Sequence, residues 1–136
     1  MREVYRYATV VVFLGVLAQV GAAGYGAFYV SNKLEDKGDV LDHEGFERGW
    51  DFHSGFGYIV VGAMIVLFLI GLAAKLGKPR IFLPSALAVA GIVQVLFAWI
   101  GESVPGLGFL HPINALVIFA MSGAAAHVAW RHRTSR

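Results

Sequence analysis

The 136 residues contain no cysteine. Disulfides, CxxC redox pairs, thiolate zinc sites and cysteine-held iron–sulfur clusters are therefore excluded. Charge is also scarce. Asp, Glu, Lys and Arg make up 15% of the chain, against about 25% in an average soluble domain. The basic residues are scattered rather than gathered along one groove, so a net charge of +2 does not point to nucleic acid. No HxxxH or HExxH spacing occurs, which removes the usual helical metal signatures. With 57% hydrophobic residues and a mean hydropathy of +0.66, the chain is neither disordered nor an average soluble domain.

What the chain does have is long apolar runs. Four are long enough to cross a hydrocarbon layer of about 30 Å: residues 7–30, 52–74, 81–100 and 109–130. The first follows Arg2 and Arg6 as a signal peptide would. It stays apolar to Val30, about twice the length of a signal h-region, so a retained span is expected. An acidic segment, 31–51, joins the first two runs, and the other links are short. Short links imply neighbouring helices of opposite direction, and the expected fold is an all-α, transmembrane, up-down four-helix bundle forming one domain over residues 1–136. No Asp or Glu lies deep in any run, and nothing suggests the inverted repeats of a transporter.

The cations set the expected orientation. Arg2, Arg6, Lys75, Lys78, Arg80, Arg131, Arg133 and Arg136 fall on one side, and only Lys33, Lys37 and Arg48 on the other. That second side also carries Glu35, Asp36, Asp39, Asp42, Glu44, Glu47, Asp51 and Glu102. By the positive-inside rule both termini are cytoplasmic, in a multi-pass protein of the inner (plasma) membrane.

Five histidines carry the chemical argument. His132 reads as part of the basic tail and His43 as part of the solvated acidic loop. His53 lies 22 residues from Lys75, and His111 lies 20 residues from Arg131. At 1.5 Å per residue both stand about 30 Å from the cytoplasmic edge, one on the second span and one on the fourth. Those spans are parallel and diagonal in an up-down bundle, so inward side chains on them face each other. Two facing imidazoles suit a six-coordinate, bis-histidine haem. Gly57, one turn below His53, leaves room for a flat group on that face, and Met64 continues the stripe with Trp50 above it. Pro112 suits the first turn of a helix, and Asn114 is placed to bond His111 or a ligand edge. His127 is turned about 160° from His111 on an ideal helix and belongs to another face. The sequence thus predicts one haem b per chain, with His53 and His111 as iron ligands and Gly57 and Asn114 beside them. A divalent-ion site built from His43, Glu44, Glu47, Asp51 and His53 is the competing metal reading.

Gln19 and Gln94 stand about 20 Å from the cytoplasmic edge and are expected to bond each other between the first and third spans; the alternative is a contact to the haem edge or to a quinone head group. Ala18, Ala22 and Gly26 form a small-residue ridge for close packing. Trp50, Tyr25, Tyr29, Trp99 and Trp130 read as interfacial belt residues.

Three stretches carry a resemblance: His53-Ser-Gly-Phe-Gly57, Gln94-Val-Leu-Phe-Ala98 and Leu110-His111-Pro-Ile-Asn114-Ala115-Leu116. They resemble a family of short four-helix bacterial membrane proteins, and one half of haem A synthase. Each half of that enzyme holds a haem between histidines on its second and fourth spans. The resemblance covers most of the chain and implies His53 and His111 as axial ligands. The oxidising half carries ExxHR around its ligand, whereas this chain has Trp50 in the acidic position and Ser54 in the arginine position. Its oxidase chemistry is therefore not carried over.

The expected function is electron transfer, or an accessory role in a respiratory or photosynthetic membrane complex, rather than an enzyme's. The expected partners are the lipid bilayer and either such a complex or a second copy. The alternatives are a half-size haem A synthase-like oxidase and a haem-free structural subunit whose histidines cap interfaces.

Overall fold

The structure, a computed structural model, describes residues 1–131. His132, Arg133 and Arg136 of the expected basic tail lie outside the described residues. Every element is helical: α1 (Arg2–Lys33), α2 (His43–Ala73), α3 (Lys78–Ser103), α4 (Pro105–Gly108) and α5 (Leu110–Arg131). α1, α2, α3 and the stretch Pro105–Arg131, which joins α4 to α5, are each long and apolar enough to cross a membrane.

The helix ends follow local chemistry. Asp42 starts α2 by accepting the amide hydrogen of Gly45 at 2.8 Å, satisfying one of the unpaired donors of the first turn. Glu44 then pairs with Arg48 at 2.6 Å, and Glu47 with His43 at 3.1 Å. These i, i+4 pairs extend the helix through charged sequence. Consequently the segment expected as a loop over 31–51 is non-helical only between Lys33 and His43. Apolar content marks what is hydrophobic; it does not mark where a capped, charged helix begins. At the other end of α2, Lys75 takes φ 51° and Leu76 donates back to the Gly71 carbonyl, a Schellman-type stop with lysine where glycine is usual.

Packing forms a ring in which α1 meets α2 and α5, and α3 meets α2 and α5. Val12 and Val16, Val60, Met64 and Leu67, Leu87, and Ile118 and Ala125 make the shared apolar core. Glycines set the closest approaches. A Cβ on Gly26 would stand 2.8 Å from the Gly49 carbonyl oxygen, and one on Gly91 would stand 2.9 Å from the Met64 sulfur. Of the small-residue ridge, Ala22 and Gly26 are buried and Ala18 is exposed. Near the chain's ends, Arg6 lies over the Trp130 ring at 4.5 Å. Its guanidinium pairs with Glu3 at 2.6 Å, and the Trp130 indole donates to the Arg6 carbonyl.

The α1–α2 contact makes a paired prediction. Gly26→Ala forces the helices apart and is expected to cost about 1–3 kcal/mol, the usual range for overpacking. Gly24→Ala meets nothing within 4 Å and should be neutral or stabilising by up to ~1 kcal/mol. Thermal unfolding of the detergent-purified variants checks this, and equal shifts for the two would refute the assigned contact.

Candidate functional site

Above the apolar core lies a polar layer to which all four long helices contribute: Gln19 from α1, Trp50 and His53 from α2, Gln94 from α3, and His111 and Asn114 from α5. All six are half-buried. Polar side chains between apolar helices must find partners, since an unpaired buried amide costs about 1–3 kcal/mol.

His53 and His111 come together here. Their ring centroids are 6.2 Å apart, with the planes at 68°. His111 sits in the first turn of α5, and its Nδ1 lies 3.0 Å from the Gln94 carbonyl oxygen. A carbonyl only accepts, so this bond puts the proton on Nδ1 and leaves the Nε2 lone pair free. Asn114 does not bond His111. Its Nδ2 donates to Gln94 Oε1 at 2.8 Å and to the Ala90 carbonyl at 3.0 Å. Gln94 thus holds both α5 residues, one through its backbone and one through its side chain.

The α1–α2 side is built differently. Gln19 donates from Nε2 to the His53 carbonyl. Gly57 makes this possible: a Cβ there would stand 2.7 Å from Gln19 Nε2. The space below His53 that was expected to admit a flat group is thus lined by the Gln19 amide. Trp50 is not a simple belt residue. Its indole packs against Gly26 and stands edge-on to His53 at 5.8 Å, because Gly26 leaves an opening that the ring fills. Three polar atoms of this side are buried without a partner: Gln19 Oε1, Trp50 Nε1 and His53 Nδ1.

The expected Gln19–Gln94 bond is absent. Helices α1 and α3 are diagonal and do not pack on each other, so each glutamine bonds an adjacent helix instead. His43 and His127 are exposed and take no part in the layer. Among the described residues no group of three or more His, Asp or Glu side chains converges on a point, so the divalent-ion grouping around His43 and His53 does not form. The spacing of Trp50, three residues before His53, puts it on the stripe of that helical face, whereas Gln19 as a neighbour of His53 depends on the rotation of α1 and leaves no signal in the sequence.

The Gln94–Asn114 bond predicts coupling. In a double-mutant cycle of Gln94→Leu and Asn114→Leu, unfolding free energies should depart from additivity by about 0.5–1.5 kcal/mol. Strict additivity would mean that the two amides do not share a bond.

No known protein family, curated protein or solved structure matches the chain.

Proposed function

We propose that the chain is an integral membrane, bis-histidine haem b protein that carries electrons, alone or as a subunit of a larger redox complex. Membrane residence is supported by the distribution of apolar side chains. Leu116 (70% exposed), Ile59 (67%) and Val11 (62%) face outward while the polar layer faces inward, the reverse of a water-soluble domain. An up-down bundle is supported by the seams. Gln19 meets His53 and Gly15 meets Val60, so residue numbers fall along α1 as they rise along α2; Met64 beside Gly91 with Gly71 beside Ile81, and Phe13 beside Gly123 with Arg6 beside Trp130, repeat this reversal. The cation distribution supports cytoplasmic termini and the inner (plasma) membrane.

The observation that carries the haem reading is the histidine pair. His53 and His111, with ring centroids 6.2 Å apart, would hold the iron, each supplying one imidazole nitrogen. Two protein donors are also the number that fits an iron whose other ligands come from a macrocycle, whereas a structural or catalytic bare ion takes three or four from the protein. His111 already has the outer hydrogen bond that ligating histidines make to a carbonyl. Gln19 is the side chain that must leave the face of Gly57 for a macrocycle to lie there.

When bound, such a haem supplies reversible one-electron transfer. The chain's own contribution is to hold two imidazoles in register, fix the His111 tautomer through Gln94, and surround the pair with apolar helices. Two nitrogen ligands leave no open position, which favours electron transfer over oxygen chemistry. Trp50 and Ser54, standing where the oxidising half of haem A synthase has Glu and Arg, support the same choice.

The test is the absorption spectrum of detergent-purified protein from haem-replete cells, oxidised and then dithionite-reduced. A sharp low-spin reduced spectrum at one haem per chain is expected, and His53→Ala and His111→Ala should each abolish it. Colourless wild-type protein, or single variants that keep the six-coordinate spectrum, would overturn the reading; the first result leaves a structural subunit.

A further inference from the structure

A neutral imidazole carries its hydrogen on one ring nitrogen or the other, and that choice decides whether Nε2 has an electron pair to give. For His111 the choice is made by the Gln94 carbonyl, 3.0 Å from Nδ1. The two residues stand on different helices, α5 and α3, so the bond exists only while those helices keep one register. Near the turn between them, glycine fixes part of that register. A Cβ on Gly101 would stand 2.8 Å from the Gly108 Cα, so the backbones touch three residues before His111. Such contact sets how close α5 starts to α3; it does not by itself stop α5 turning about its axis.

Asn114 opposes that turn. It lies three residues after His111, on the same face of α5. Its Nδ2 gives both hydrogens to α3, one to the Ala90 carbonyl at 3.0 Å and one to Gln94 Oε1 at 2.8 Å. A backbone carbonyl only accepts, so the Asn114 atom facing Ala90 must be the amide nitrogen and not its oxygen. In the helical pattern the Ala90 carbonyl also receives the main-chain hydrogen of Gln94. One NH2 group therefore grips Gln94 from two directions, at its side chain and at the carbonyl that its main chain bonds. With the His111 bond, three hydrogen bonds join one face of α5 to one turn of α3, and rotating α5 breaks all of them together.

We infer that Asn114 is a positioning residue: by locking α5 to Gln94 it holds His111 in the Nδ1–H form, with the Nε2 electron pair free. It makes no bond to His111 and acts on it only through Gln94. A ligating histidine needs this arrangement, one nitrogen bonded to an outer acceptor and the other directed at the metal. The consequence for iron rests on the proposed haem reading; the tautomer rests on the α3–α5 bonds.

The experiment is ¹⁵N NMR of the full chain, labelled at histidine and produced under haem depletion. Spectra are taken in detergent micelles at about pH 8.5, where an ordinary imidazole is neutral. His111 is assigned by the signal missing from His111→Gln. Wild type should show His111 as Nδ1–H, while the exposed His43 and His127 show the mixture of a free side chain. Asn114→Leu should lower the Nδ1–H to Nε2–H ratio of His111 about tenfold, the weight of one hydrogen bond of about 1.4 kcal/mol. Asn114→Asp, which keeps the shape and loses the NH2 donor, should do the same and replaces the leucine variant if that one does not fold. Ser122→Ala removes a buried hydroxyl elsewhere on α5 and should leave the ratio unchanged. A wild-type His111 in the Nε2–H form would overturn the inference, as would an Asn114 variant with the wild-type ratio or an equal fall in Ser122→Ala. On haem-loaded protein the Asn114 substitution should raise the midpoint potential, because a looser Nδ1–H bond makes the imidazole a weaker donor to iron. A chain that takes up haem while its haem-free His111 ignores Asn114 would remove this inference and leave the haem reading standing. A chain that never takes up haem but shows the tenfold fall would do the reverse.

Discussion

A polar atom held between apolar helices must find its partner within the protein, because hydrocarbon supplies none. In this chain that requirement acts at one level of the bundle, where Gln19, His53, Gln94, His111 and Asn114 meet. The bonds from Gln19 to the His53 carbonyl, from His111 and Asn114 to Gln94, and from Asn114 to the Ala90 carbonyl tie α1 to α2 and α3 to α5. Each is worth only about 1 kcal/mol net. Their larger effect is on rotation: turning any of these helices about its axis would bury several polar atoms unpaired. The apolar core below, including Leu67 and Leu87 at 0% exposure, is close-packed but tolerates many small rearrangements, whereas the polar layer admits few.

Close approach makes that layer possible. A hydrogen bond from a glutamine side chain to another helix's backbone requires a gap in the second helix's surface, and Gly57 supplies it. Gly26 opens a gap one step further toward the loop, where the Trp50 indole lies between α1 and α2, and Gly49 admits the Tyr29 ring. In a bilayer, where lipid is as apolar as leucine, such backbone contact and interhelical bonding are the main forces for association. The opposite end is closed by different means, with the Arg6 guanidinium over Trp130 and paired with Glu3.

The parts of this architecture that could be read from the sequence are those that depend on distance along a helix. Four apolar runs mark four long helices, and counting residues from Lys75 and Arg131 places His53 and His111 at one level, where their rings indeed lie 6.2 Å apart. The parts that could not be read depend on rotation about the helix axis. Gln19 and Gln94 share a depth, yet each bonds a different neighbour, because α1 and α3 lie across the bundle from each other. Trp50 has the composition and position of a belt residue, and only the opening at Gly26 turns it inward. The start of α2 escaped hydropathy for a third reason: Asp42 capping and the Glu44–Arg48 pair are short-range charge effects in a stretch that carries no apolar signal.

The two halves of the polar layer are unequally finished, and this bears on how a cofactor would be taken up. On the α3–α5 side His111 has its carbonyl partner and Gln94 Oε1 its donor, so that imidazole is oriented by the protein alone. On the α1–α2 side Gln19 Oε1, Trp50 Nε1 and His53 Nδ1 are buried and unpaired. Unpaired buried polar atoms cost free energy that a bound group can recover, whereas satisfied ones gain nothing from a ligand. On the haem reading, therefore, His111 is the preorganised ligand and His53 the one whose surroundings change on binding. The Gln19 amide is the first element to move, because it lies against Gly57, on the face that the macrocycle needs.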